Sequence, residues 1–208
     1  AAPKTKAKEP ISTAQDTVNA APTPVDPPKA LPPSTKPASK TPSAKTVETP
    51  ATEPLKRETG RAIIRGTAEK SKIAGTAIFT PTSAGMKVEI QVTNVPPGKH
   101  GLHIHEHNSC ADGGNDAGGH YNPESAPHGF ITAGGFEKAH AGDFGNLEVG
   151  PNGAGKLELI IPCLSLTDGR RTIGGRSIIL HEKEDTFGQP TGNAGGRIGC
   201  GAIDVVSN

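Results

Sequence analysis

The octapeptide Lys99-His100-Gly101-Leu102-His103-Ile104-His105-Glu106 sets the architecture of this chain. Apolar and imidazole side chains alternate along it, so an extended strand turns Leu102 and Ile104 to one face and His103 and His105 to the other. Same-face neighbours on a strand stand roughly 7 Å apart at Cα, and metal to nitrogen bonds are only about 2 Å long. Two imidazoles so placed can converge on one ion, which makes the strand half of a metal site.

Further along, Gly118-Gly119-His120-Tyr121-Asn122-Pro123, Pro127-His128-Gly129 and His140-Ala141-Gly142-Asp143 fall in a Gly- and Pro-rich stretch. With neither helical nor strand period, it reads as a long loop. Loops beyond about 15 residues in a compact domain are usually functional or disordered, and a metal would tie this one down. Three imidazoles and a carboxylate form the closed tetrahedral set that zinc accepts, with no position left for substrate. An all-imidazole tetragonal set suits copper(II) instead. The distant His181 brings the candidate ligands to six of the eight histidines plus one aspartate.

Outside these clusters the chain reads as short period-two runs. Ala62–Gly66, Ala74–Phe79, Val88–Val92, Leu157–Ile161 and Ser177–Leu180 are expected strands, and Gly150-Pro151-Asn152-Gly153 is a turn signal. No segment carries a convincing amphipathic helix. The expectation is an all-β domain, an antiparallel sandwich or barrel whose strand topology these runs leave open.

Gly101-Leu102-His103-Ile104-His105-Glu106 resembles the copper-ligand signature of the copper/zinc superoxide dismutases, and Gly192-Asn193-Ala194-Gly195-Gly196-Arg197-Ile198-Gly199-Cys200-Gly201 is similar to that family's second signature. The histidine motifs between them occur in the family's order, and the resemblance spans roughly residues 61 to 208. It implies an antiparallel Greek-key, immunoglobulin-like sandwich or barrel of eight strands with long metal-binding loops. It also implies copper on His103, His105, His120 and His181 and zinc on His120, His128, His140 and Asp143, with His120 bridging the two. Asp185 would link His103 to His128, fixing ring orientation. The implied reaction is dismutation of superoxide to dioxygen and hydrogen peroxide through alternate reduction and oxidation of copper, an antioxidant activity. His120 and Arg197 are the implied catalytic residues, the first carrying a proton and the second attracting the anion with a permanent charge.

The resemblance further implies a disulfide between Cys110 and Cys200, which needs an oxidising compartment. Cys163, inside Leu159-Ile160-Ile161-Pro162-Cys163-Leu164, is left over and is expected to be a buried, inert thiol. Two departures from the animal cytosolic pattern stand out. The His181 to Arg197 stretch is short and lacks much of the charged steering loop, and Cys110 follows closely on His105. This form is similar to secreted or periplasmic bacterial members, and location in the periplasm, cell envelope or outside the cell is expected.

Composition divides the chain. Residues 1–60 hold 12 of the 20 prolines, one of the 27 glycines and no aromatic residue, with 9 Lys and Arg against 6 Asp and Glu. They read as a disordered linker before a domain at 61–208. That domain has 13 basic against 15 acidic residues, so the chain's net +1 hides two opposite parts. Its size allows burial of about 70% of the unfolded surface. No transmembrane stretch or hydrophobic leader is visible, and Ala1-Ala2-Pro3 is compatible with a cleaved mature start. No nucleic-acid partner is expected, a homodimer is left open, and the basic tail allows an envelope association.

Other histidines and acids receive plainer readings. His100 is expected to be structural, His107 a solvated residue past the strand end, and Asp112 and Asp116 ordinary loop acids. Two competing functions use the same residues. One is a non-catalytic copper carrier, which leaves Arg197 without a task. The other is a zinc hydrolase, suggested by His103-Ile104-His105-Glu106-His107, which needs an open zinc that this ligand set closes.

Overall fold

A computed structural model describes residues 58–207. Nine strand segments follow in chain order: β1 Glu58–Gly66, β2 Ala74–Thr82, β3 Gly85–Thr93, β4 Gly98–His105, β5 Asp143–Val149, β6 Gly155–Ile161, β7 Ser177–His181, β8 Arg197–Ala202 and β9 Asp204–Ser207. They amount to an eight-strand antiparallel barrel, because β8 and β9 are one strand broken at Ile203. That buried residue leaves the ladder to exchange hydrogen bonds with the preceding connection, donating to Arg176 O and accepting from Gly175 N. β8 pairs with β1 through Cys200 and Gly199, and β9 continues along Glu58–Arg61.

The ring runs β1-β2-β3-β6-β5-β4-β7-β8 and back to β1. The steps from β3 to β6 and from β4 to β7 are the Greek-key crossings. Only Val149↔Gly155 joins β5 to β6, beside the tight turn expected at Gly150–Gly153. The barrel is therefore flattened into two facing halves.

The halves differ in what covers them. In β3, Met86, Val88, Ile90 and Val92 face inward while Lys87, Glu89, Gln91 and Thr93 face out, the alternation of a sheet wetted on one side. β4 and β7 are instead buried on nearly every residue, because long loops lie over their outer face. Leu102, Ile104, Ile178 and Leu180 join Phe79, Phe144 and Leu147 in the central core. His103 and His105 take the opposite face of β4, under the loops. At about 25 cal/mol per Å² of apolar surface, such a core is the main stabilising contribution.

β1 opens at Glu58, ahead of residue 61 where the composition changes. The linker reading of the N-terminal segment otherwise lies outside the described residues. The loop expected across 118–143 contains a single helical turn, α1 at Ile131–Gly134, and follows a 3-10 segment at Asp112–Ala117. Asp143, expected within the loop, is the first residue of β5.

Cys163 corrects the expectation of a buried thiol, for it is exposed. β6 ends at Ile161, Pro162 offers no N–H to extend the ladder, and Cys163 turns outward at φ 62°. The disulfide between Cys110 and Cys200 is present and ties the loop after β4 to β8 across 90 residues of sequence.

Candidate metal centre

Strand geometry and loop closure assemble the ligands in turn. A bulge between β4 and β5 follows Gly101 and sets His103 opposite Asp143. Gly101 permits the approach of the later loop, since a Cβ there would stand 2.8 Å from the Ala194 side chain. His181 ends the neighbouring β7, and His120 meets His105 in an isolated bridge. Two groups of potential ligand atoms result, His103 with His105, His120 and His181, and His120 with His128, His140 and Asp143. In each group the atoms lie within 4.8 Å of one another.

Hydrogen bonds to the far side of each ring fix which nitrogen is left to bind. His105 Nδ1 donates to Gly118 O at 2.9 Å and His181 Nδ1 donates to Gly195 O at 3.2 Å. Both Nε2 atoms are then lone-pair acceptors, and they face each other at 3.4 Å. His103 Nε2 donates to Asp185 Oδ2 at 2.9 Å, leaving its buried Nδ1 with no hydrogen-bond partner. Lone pairs pointing at one another in a buried place call for a cation, so the residues fit a metal.

The second group has the spacing of a tetrahedron. Ligands about 2.0 to 2.1 Å from an ion stand roughly 3.3 Å apart. The Nδ1 atoms of His120, His128 and His140 lie 3.0, 2.9 and 3.1 Å from Asp143 oxygens, and His140 Nδ1 lies 3.4 Å from His120 Nδ1. His128 Nδ1 is close to Asp143 Oδ2 without hydrogen-bond geometry, as two ligands of one ion would be. His120 gives Nδ1 to this group, so Nε2 remains for the first.

Asp185 joins the groups. Its carboxylate accepts from His103 Nε2 and, at 3.0 Å, from His128 Nε2. Asn146 on β5 holds its backbone at both ends, accepting from Asp185 N at 2.7 Å and donating to Asp185 O at 2.9 Å. Gly192 packs against this carboxylate at φ 79°, where an added Cβ would come within 2.0 Å of Asp185 Oδ1. The sequence reading did not find Asn146, because its contribution is to a backbone and no residue pattern announces it.

Charge states follow from burial and these contacts. Burial holds His103 down to about 4, despite the Asp185 carboxylate, and His105 and His181 down to about 2 and about 3. For His128 burial is outweighed by the Asp143 and Asp185 carboxylates, and its pKa rises to about 9. Burial would raise both of those carboxyls, but histidine donors hold them well below the usual range. A histidine with a lowered folded pKa stabilises the metal-free fold above pH 6.5 and loses that contribution as pH falls toward the folded value, since the unfolded chain takes up the proton first. His128 contributes below 6.5 and loses its contribution as pH rises through about 9. Metal-free protein is therefore expected to resist urea best near pH 6.5, with the steeper decline on the acid side, where three histidines act against one. A urea midpoint still climbing at pH 8 would contradict this.

The two groups differ in access. A cavity of about 240 Å³ is lined by His105, His120 and His181, with Thr191, Asn193 and Arg197 on its wall. His128, His140 and Asp143 do not reach it. Arg197 is held by backbone carbonyls, donating from Nη1 to Gly114 O at 2.5 Å and from Nη2 to Gly118 O at 2.7 Å. The structure thus brings all seven expected ligands together with Asp185 and Arg197. His100 is buried between His181 O and Pro96 O, a structural place, while His107, Asp112 and Asp116 are exposed.

Residues 73–203 match the family model described as copper/zinc superoxide dismutase. The chain belongs to the copper/zinc superoxide dismutase family. Among its relatives, the extracellular Cu-Zn superoxide dismutase of Drosophila melanogaster is 36% identical over 146 residues, which are 66% of this chain and 78% of that one. The Cu-Zn superoxide dismutase of Deinococcus radiodurans is 34% identical over 149 residues, 67% and 81% of the two chains. The crystal structure of the clock protein EA4 superposes with a TM-score of 0.64 at 32% identity, covering 74% of this chain and 99% of the other. Copper and zinc are the family's metals, and the two ligand groups here can hold them.

Proposed function

We propose that this protein dismutates superoxide to dioxygen and hydrogen peroxide, with copper on His103, His105, His120 and His181 and zinc on His120, His128, His140 and Asp143. The observation that carries the assignment is unequal access. Three imidazoles of the first group, His105, His120 and His181, line the cavity beside Arg197, whereas of the group with the carboxylate only the shared His120 does. Bound copper would supply the one-electron oxidation of one superoxide to dioxygen and the one-electron reduction of a second, which leaves as hydrogen peroxide with two protons, one from His120 and one from solvent. His120 lines the same cavity, and its Nε2, when released from copper, would take a proton and return it to the product as it binds copper again. Asp185 fixes His103 and His128 from behind. Zinc on the cluster with Asp143 would order the loop that carries His120. Metal analysis with a dismutation assay tests the reading. Copper and zinc in equal amounts with superoxide-dependent peroxide formation are expected, and two zincs with no copper uptake and no dismutation would overturn it.

Arg197 draws the anion inward, for guanidinium keeps its charge at any working pH. Arg197→Glu is expected to lower kcat/KM at low salt by about tenfold or more and to reverse its dependence on ionic strength. An unchanged rate at low salt would refute the steering role.

Extracellular relatives and the Cys110–Cys200 bridge support an oxidising location, secreted or periplasmic. No helix among the described residues is long and apolar enough to cross a membrane. The basic, proline-rich N-terminal segment is proposed as a spacer suited to anionic envelope polymers. Because β1 begins at Glu58, deletion of residues 1–57 is expected to leave dismutation within about twofold of the full chain, as no ligand is removed. A large loss in purified protein would count against the boundary.

A further inference from the structure

His128 poses a problem of support. It is 3% exposed yet sits in a loop bend outside the named strands. Buried backbone groups need partners, and here a single side chain supplies both. The His128 N–H donates to Gln189 Oε1 at 3.0 Å, and the His128 carbonyl accepts from Gln189 Nε2 at 2.8 Å. A primary amide presents donor and acceptor side by side, as a neighbouring strand would.

The loop that presents Gln189 is itself fixed. Thr186 N donates to Gly192 O at 2.9 Å and Gly192 N donates to Gly188 O at 2.6 Å. The same loop leaves Asp185, whose backbone Asn146 holds. Asp185 also takes the His128 ring at Nε2, so the ring tip and the peptide of His128 are both gripped from one short segment. With the tip on Asp185 as a pivot, the direction of Nδ1 depends on where the peptide is held. Phe187 closes the arrangement from outside, its ring stacked on His128 at 6.5 Å between centroids.

We propose that Gln189 is a positioning residue for the metal cluster that includes Asp143, acting through the backbone of His128. The proposal rests on His128 being a zinc ligand. Gln189 is at the surface and stands outside the apolar core. Its substitution should therefore leave the fold intact and act on zinc retention.

The test uses the full-length holoenzyme and its Gln189→Met, Gln189→Glu and His128→Ala variants. Zinc release to a chelator is timed, and the ligand-field bands of cobalt(II) placed in the zinc site are recorded. Gln189→Met, which keeps the length and loses both polar contacts, is expected to release zinc about tenfold faster, the scale for losing a partner behind a ligand. Its cobalt bands should shift while copper content stays at the wild-type value, and the urea midpoint of the metal-free protein should fall, since two buried peptide groups lose their partners. Gln189→Glu keeps the acceptor but sets a carboxylate against the His128 carbonyl, and should also release zinc faster. Wild-type release from Gln189→Met, when His128→Ala has lost its zinc, would overturn the proposal and leave the ligand assignment standing. Zinc retained by His128→Ala would remove the assignment beneath it. Cobalt bands at wild-type positions in Gln189→Met would make the role general support and overturn it as well.

Discussion

His120→Ala is expected to abolish dismutation and to damage both metal sites at once. One ring offers Nδ1 to the cluster with Asp143, 3.0 Å from its carboxylate, and leaves Nε2 to the cluster that borders the cavity. Losing a group that merely orients a ligand costs about 10 to 100-fold in metal affinity, so losing a shared ligand should exceed that for each ion. The copper(II) spectrum and zinc retention should both change. His140→Ala provides the contrast, since His140 belongs to one group only and should weaken zinc while sparing the copper spectrum. A normal zinc content in His120→Ala would refute the shared role.

Removal of the Cys110–Cys200 bridge is the second large effect. Closing 90 residues restricts the unfolded chain by an amount worth about 4 to 5 kcal/mol on the chain-entropy account. Domain stabilities are about 5 to 15 kcal/mol, so the Cys110→Ser, Cys200→Ser double variant should lose a large share of its metal-free stability. The comparison belongs in a Cys163→Ser background, because the exposed thiol could otherwise exchange with the bridge. Urea unfolding that moves by less than about 1 kcal/mol would show that the bridge leaves the unfolded state unconstrained.

What the sequence disclosed depended on whether side chains or backbones did the work. His103 and His105 were legible from alternation, and the loop ligands from their Gly- and Pro-rich surroundings. The family resemblance then placed His181 in the copper set and brought in Asp185, Arg197 and the cysteine pair. β5 was hidden because its ligand Asp143 looked like loop and Gly145, at φ 79°, interrupts the alternation. β8 was hidden by its glycines, which leave little apolar pattern to read. Cys163 misled because it follows an apolar run, whereas Pro162 has already ended the strand. Asn146 and Gln189 left no trace, for each holds a peptide group and any polar residue looks much the same in a loop. Both became visible only through their paired contacts.

The carbonyl oxygen of Gly118 accepts from His105 Nδ1 at 2.9 Å and from Arg197 Nη2 at 2.7 Å. A single atom therefore helps set both the tilt of a ring proposed to bind copper and the seat of the charge proposed to draw the substrate in. The two properties share one lever. A change that rotates that peptide is expected to shift the spectrum of bound copper and the salt dependence of capture together.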